Sequence, residues 1–465
     1  MKRGDGAVSI LKAVNTIVTV EPMFFFYYCS FGLGLVVWQQ TLYVKLCIQK
    51  GFNISRCSNV SWEETHATLQ QETSYWMIYS SLGSIPPAIC CVTMLSGYSN
   101  HRSLRLPLVL PLIGGLLTAV LIILQIIFID WDPSLLLIAP VAWGITGYFP
   151  TINMASMTYL IWDPNASNLG LRFAVLEGMN TLSNAVGTFL AGPIIDSSEN
   201  GLVYAWILYG ALQLVGLADI LFRVKNIHSP QPAESESEYK RCSTIRHCFN
   251  YDSFKRYFQT VFRKRRNSKR LHLHIVVMST MIAFLSLAGV TGIIFLYLTK
   301  QYGKSNTEYS IYQGANCLTA LLGSTLFVHI FTTHYKLSDI GFTVLGTISG
   351  AISYLLLGYA EYAACYWLAV LFRLFVPYPW VGGRLYISHT LNEAEQASGM
   401  GYYATVQCVT TLLASLLFNS TYPLTLNLWP GLCFAIAAFL LLLTVPALTF
   451  VQWNDNRLGH FSIRN

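Results

Sequence analysis

Five ionisable side chains, Glu21, Glu177, Asp219, Arg373 and Arg384, stand within or at the edge of long apolar stretches of this 465-residue sequence. An ionised group in hydrocarbon costs several kcal/mol, about 2.5 or more at the bilayer centre, so such groups usually line a solute path or pair with one another. Arg373 falls near the middle of its apolar run, and Arg384 nearer the inner end of the same run. Glu177 lies about one helical turn inside another run, Asp219 near the inner end of a third, and Glu21 at the start of the first. A guanidinium holds an oxyanion through two parallel hydrogen bonds, which the compact ammonium of lysine does not do. No acid in the neighbouring runs matches Arg373 in depth. Two readings of Arg373 stay open: a seat for an anionic solute, or an arginine capped by backbone carbonyls or by a glutamate of another helix. Glu177 also has two readings, exchange of a proton or snorkelling to the cytoplasmic surface.

The elements that must position these groups are spanning helices. The sequence is 54% hydrophobic and 11% charged, against about 25% charged in a soluble domain. A spanning helix needs about 20 mostly apolar residues. Twelve such runs are present, at 19–44, 74–95, 106–129, 135–161, 173–195, 202–222, 275–298, 309–331, 340–360, 362–387, 400–418 and 428–451. This pattern predicts an all-α membrane protein with twelve transmembrane helices in two six-helix bundles. The bundles occupy residues 1–222 and 272–453, joined by a basic cytoplasmic linker at 223–271, with a cytoplasmic tail at 454–465. Pro86-Pro87, Gly144, Gly147, Pro377 and Pro379 are expected to break or loosen their helices, as in the moving helices of solute carriers.

Charge placement sets the sidedness. The net charge is +7, but residues 223–271 alone carry thirteen Lys or Arg against Glu234, Glu236, Glu238 and Asp252, leaving the rest slightly negative. One basic loop among apolar runs follows the positive-inside rule and argues against nucleic acid as a partner. His101, Arg102, Arg105, Arg172 and Lys336 share that side, whereas Asp130, Asp132, Asp196, Glu199 and Glu361 lie opposite, with Lys300 and Lys304 as exceptions. Both termini are then cytoplasmic, and the first run is a retained signal anchor. The 46–73 loop faces outward with two glycosylation sequons, at Asn53 and Asn59; Asn165 falls on the cytoplasmic side and Asn419 too near the membrane. Ser229–Glu238 reads as disordered linker. The 240–270 segment mixes cations with Phe249, Phe254, Tyr257, Phe258 and Phe262, so it forms either a helix on the inner leaflet or a solvated loop. Tyr251-Asp-Ser-Phe254 fits a tyrosine-based sorting pattern.

The eleven cysteines show no CxxC pair and no metal-ligand spacing; Cys29, Cys90, Cys91, Cys365 and Cys408 read as small hydrophobes. His389 and Glu393 lack the second histidine of a zinc-protease motif, and His272 and His274 fall on different helix faces. No cofactor, metal or catalytic residue is expected. A carrier is favoured over an enzyme, with a solute sensor on a carrier fold as the competing reading.

The six-plus-six layout with a long basic central loop resembles the major facilitator superfamily. The loop after the second run, Gly97-Tyr-Ser-Asn-His-Arg-Ser-Leu-Arg105, is similar to its Gly, Asp and Arg motif, with Asn100 in place of the Asp. Val20-Glu21-Pro22, Arg172-Phe-Ala-Val-Leu-Glu177, Gly383-Arg384-Leu, Glu393-Ala-Glu-Gln396 and Phe418-Asn-Ser-Thr-Tyr-Pro-Leu-Thr-Leu-Asn427 resemble the proton-coupled folate transporter family, solute carrier family 46. The match is strongest over 380–430. The resemblance implies secondary active transport of an organic anion, folate-like or otherwise amphipathic, with protons, by alternating access. It implies transport roles for Asp163, Glu177 and Arg384, and a conformational latch at Gly97, Asn100, Arg102 and Arg105. Leu287 stands where the family's folate carrier has a seventh-span histidine. A disulfide from the first outer loop to the loop after span 7 is also implied; Cys57 offers one end, but residues 299–308 hold no Cys. The expected setting is the plasma membrane, with the lysosomal membrane as the alternative.

Overall fold

The computed structural model describes all residues except 1–18, 52–62, 101, 164–168, 196, 199, 229–250, 266–267, 303–305, 336, 360–362, 426–428, 430 and 458–465. The sequons at Asn53 and Asn59, Cys57, Asn165 and the 229–238 linker therefore lie outside the described residues. The described chain is helical, and it forms two compact units. One unit comprises Met1–Asn165 with Leu182–Ser253, the other Ala166–Thr181 with Phe254–Asn465.

In the first unit the helices are α1 (Glu21–Gln49), α2 (Glu63–Ser99), α3 (Arg105–Ile127), α4 (Ile138–Ile145), α5 (Tyr148–Trp162), the C-terminal part of α6 (Leu169–Ile195) and α7 (Gly201–Phe222). Its core gathers Leu33 and Val37 of α1, Ala119 and Ile122 of α3, and Trp206 and Tyr209 of α7. Buried polar groups are cross-linked there, as a low-dielectric interior requires: Gln213 Nε2 donates to Ser30 Oγ at 2.8 Å, and Trp206 Nε1 to Thr41 Oγ1 at 3.0 Å. The expected fourth span is interrupted between α4 and α5, where Gly147 has φ +100° and Tyr148 φ +51°. Only glycine enters that region without strain, so Gly147 was a legible break and Tyr148 was not. The Pro86-Pro87 pair does not break α2, which runs through both. Neighbouring helices in a membrane bundle re-satisfy a few freed backbone groups and tolerate such prolines.

The second unit contains the N-terminal part of α6, then α8 (Tyr251–Phe262), α9 (Lys269–Tyr302), α10 (Asn306–Leu322), α11 (Val328–Thr333), α12 (Asp339–Gly358), α13 (Ala363–Phe372), α14 (Tyr378–Thr390), α15 (Gln396–Thr425) and α16 (Leu432–Arg457). Tyr297, Tyr354, Trp380, Phe418, Phe434 and Leu441 form its main core. Within the basic linker, α8 buries Tyr257 and Val261 and leaves Lys255, Phe258 and Phe262 exposed. The chain just beyond it is tied down by Arg263 and Arg265, which reach the two carboxylate oxygens of Glu395 at 3.0 and 3.2 Å.

Among the described residues, nine helical stretches are long and apolar enough to cross a membrane. The three expected spans that fall short are informative. They are α6, which carries Glu177; the pair α10 and α11, split by a π-helical turn at Gly323–Phe327; and the pair α13 and α14, which carries Arg384 and flanks Arg373. Polar side chains and local breaks lower hydropathy where a membrane protein handles a solute.

Candidate functional site

The tenth expected span is where the sequence forces irregular backbone. Pro377 and Pro379 donate no N–H, so the preceding carbonyls lose their helical partners. The chain answers with a 3-10 turn at Arg373–Phe375 between α13 and α14. Serines of α12 take up carbonyls beside that turn: Ser349 Oγ donates to Phe372 O at 2.5 Å and Ser353 Oγ to Ala369 O at 3.0 Å. Beyond the break, Gly383 lets α14 press on α9, since a Cβ there would sit 2.6 Å from Thr280 Oγ1. That close approach carries the next residue, Arg384, into the interior.

Arg384 is only 2% exposed. Its guanidinium pairs with the Glu177 carboxylate and lies over the Tyr403 ring of α15, 5.1 Å from the centroid. Glu177 is buried too, so the pair is shielded from water on both sides. Sequence depth ranked Arg373 as the more costly cation and Arg384 as nearer the surface. Burial reverses that order. Arg373 is half-buried at the 3-10 turn and, among the described residues, makes no ion pair or side-chain hydrogen bond. Among the described residues, neither a glutamate nor a carbonyl caps it. The snorkelling reading of Glu177 also fails, because its carboxylate is held on Arg384.

The other sequence candidates lie elsewhere. Asp163 is buried at the C-terminal end of α5, in the first unit, whereas Glu177, Arg373 and Arg384 belong to the second. Gly97 closes α2, Asn100 is buried, and Arg102 is half-buried. Arg105 is exposed and donates to Leu221 O of α7 at 3.0 Å, while Ser103 bridges His228. The loop thus clasps the end of α7. Asp219 binds Arg223 Nη2 at 2.8 Å, and Arg223 also reaches the Thr19 carbonyl. The Asp219 hydrogen bond holds the Arg223 guanidinium above its ordinary pKa, with Glu21 adding to the effect. These charges at the C-terminal end of α7 form a local cluster.

Sequence reading missed the aromatic partner Tyr403, which no spacing rule couples to Arg384. It also missed a buried network in which His272 Nδ1 meets Asp455 Oδ1 at 2.9 Å and Tyr386 donates to Asp455 Oδ2 at 3.0 Å. His389 meets Asp339 at 2.7 Å. Leu287 packs against the apolar core of the second unit and supplies no titratable group. Among the described residues, no cluster of His, Cys, Asp or Glu has the geometry of a metal site.

Comparison with known proteins agrees with this architecture. The Major Facilitator Superfamily profile matches residues 112–415. The chain is 24% identical to the proton-coupled folate transporter of Bos taurus, over 95% of this chain and 93% of that protein. It is 23% identical to the lysosomal proton-coupled steroid conjugate and bile acid symporter of Homo sapiens, over 94% and 96%. Its fold is similar to that of the human organic anion transporter TETRAN, with TM-score 0.69 at 13% identity, covering 93% of this chain and 99% of that one. The E. coli fucose:proton symporter gives TM-score 0.65 at 10% identity, covering 94% and 97%. With the superfamily profile running over more than half of its length, the chain belongs to the major facilitator superfamily and is a multi-pass membrane transporter.

Proposed function

We propose that this transporter moves an organic anion together with a proton by alternating access. The observation that carries the proposal is the unequal pairing of two arginines in one broken span: Glu177 meets Arg384, whereas Arg373 makes no ion pair among the described residues, and the other buried acids of the second unit, Asp339 and Asp455, meet His389 and His272. Glu177 occupies Arg384, and Arg373, with no ion pair among the described residues, is the cation open to an anion. When Glu177 takes up a proton, Arg384 loses its counter-charge in a site where an uncompensated ion costs several kcal/mol. A solute carboxylate, sulfate or sulfonate drawn to Arg373 offsets the positive charge that protonation adds to the same broken span. Proton and anion are linked because each supplies what the other removes. The relatives named as a proton-coupled folate transporter and as a proton-coupled steroid conjugate and bile acid symporter fit an amphipathic anion.

The disulfide at Cys47, near the C-terminal end of α1, supports an outward position for that end, since disulfides persist on the oxidising side of a membrane. We assign the carrier to the plasma membrane, with the lysosomal membrane as the alternative. The test is uptake into proteoliposomes of the full chain, using radiolabelled taurocholate and pteroylglutamate with an acidic outer buffer. Accumulation of at least one anion, collapsing with the pH gradient, is expected. Uptake indifferent to the gradient, or equal competition by uncharged analogues, would refute the proposal.

A further inference from the structure

Arg373 lies beside one face of α10, and that face is unusual. Tyr312, Asn316 and Gly323 recur at helical spacing and so share it. Gly323 fixes where the face points: a Cβ there would stand 1.6 Å from the carbonyl oxygen of Leu374, the residue after Arg373. Asn316 is 4% exposed and Tyr312 1% exposed. Yet neither the Asn316 amide nitrogen, nor its oxygen, nor the Tyr312 hydroxyl makes a hydrogen bond. Tyr312 and Asn316 lie next to each other. Arg373 is near enough to act electrostatically on Tyr312, Cys317 and Tyr354. The Tyr312 ring meets Tyr366 at 5.7 Å and Trp367 at 6.2 Å between centroids.

A buried amide with donor and acceptor both idle is disfavoured unless something completes it. Here the idle groups adjoin a guanidinium that has no partner among the described residues. We infer that Asn316 and Tyr312 complete an oxyanion seat with Arg373, and that the seat takes a carboxylate, sulfate or sulfonate borne on an apolar ring system. The Arg373 fork and the Asn316 and Tyr312 donors bind the oxygens, while Tyr366 and Trp367 offer the ring a flat wall. The free Asn316 oxygen accepts from an N–H or O–H next to the anionic group, as in an amide-linked conjugate. This seat rests on the proposed anion transport and names residues that neither motif nor resemblance singled out.

The experiment measures half-saturating concentrations of taurocholate and pteroylglutamate for full-length variants in proteoliposomes, with thermal melting of each purified variant as the control for folding. Losing one donor, in Asn316→Ala or Tyr312→Phe, is expected to raise the half-saturating concentration roughly tenfold. Asn316→Asp is expected to raise it by about 100-fold or more, because a fixed carboxylate then occupies Arg373, and to melt no lower than wild type. If Arg373→Lys weakens transport while the Asn316 and Tyr312 variants keep wild-type affinity, the seat is wrong and the transport reading stands. If Arg373→Lys and all these variants transport with wild-type affinity, both fail. A fall in melting temperature with unchanged affinity would mark Asn316 as structural and overturn the inference.

Discussion

Glutamine at position 177 keeps the shape of the acid while fixing it in the uncharged state, so Glu177→Gln isolates the coupling step. If one proton accompanies one monovalent anion, the accumulation ratio at equilibrium follows the pH difference. Each pH unit is about 1.36 kcal/mol, or roughly tenfold, so a gradient of about two units should let wild type concentrate its anion about 100-fold. The variant should still exchange internal for external anion, yet its net accumulation ratio should fall to ~1 whatever the gradient. Stability gives a second handle. Arg384 is 2% exposed, and removing the partner of a buried charge costs about 3–5 kcal/mol. Glutamine retains a carbonyl acceptor, so its loss should sit at the low end of that range and Glu177→Ala at the high end. Replacing both partners, Glu177→Gln with Arg384→Gln, removes the uncompensated ion and should recover much of the melting temperature. Uptake in proteoliposomes and melting in detergent measure the two effects. Gradient-driven accumulation by Glu177→Gln would refute the coupling role. A double variant that melts below both single variants would refute the ion-pair account of their instability.

Three further outcomes are expected. Replacing both Asn53 and Asn59 by Gln should abolish any glycosidase-sensitive gel shift, and terminal tags should be reached only after permeabilisation; a tag detected on intact cells would reverse the topology. Gly323→Ala should lower the melting temperature, since its Cβ would fall 1.6 Å from Leu374 O and overpacking costs about 1–3 kcal/mol; unchanged melting would remove that close contact. Replacing the exposed Phe258 and Phe262 of α8 by Ser should diminish the stabilisation gained from phosphatidylserine over phosphatidylcholine, as expected of a helix on an anionic leaflet; an equal lipid response would favour the solvated reading.

The sequence by itself determined the class of this protein. Apolar runs of spanning length, one basic central loop and acids on the opposite side follow from transfer energies and need no partner helix to be known. Breaks at Gly147 and at Pro377 and Pro379 were legible because those residues act through their own backbone. The short inventory of intramembrane charges was legible for the same reason: the cost of an ion in hydrocarbon belongs to the residue itself.

Tertiary structure alone decided which of those charges meet. Glu177 and Arg384 come from helices far apart in the chain, and no periodicity within either helix reports what it faces. Depth along the span ranked Arg373 as the more buried cation, but burial depends on the neighbouring helix, and Gly383 beside Thr280 carries Arg384 inward instead. The persistence of α2 through Pro86 and Pro87 and the left-handed Tyr148 were decided by packing around them. So was the packing of the chain after α10 on the Arg373 turn, where Gly323, at the π-helical turn, lies against the backbone of Leu374. Propensity and hydropathy are properties of one segment. Pairing energies belong to two, and the long-range contact that creates them has no trace in either segment read alone.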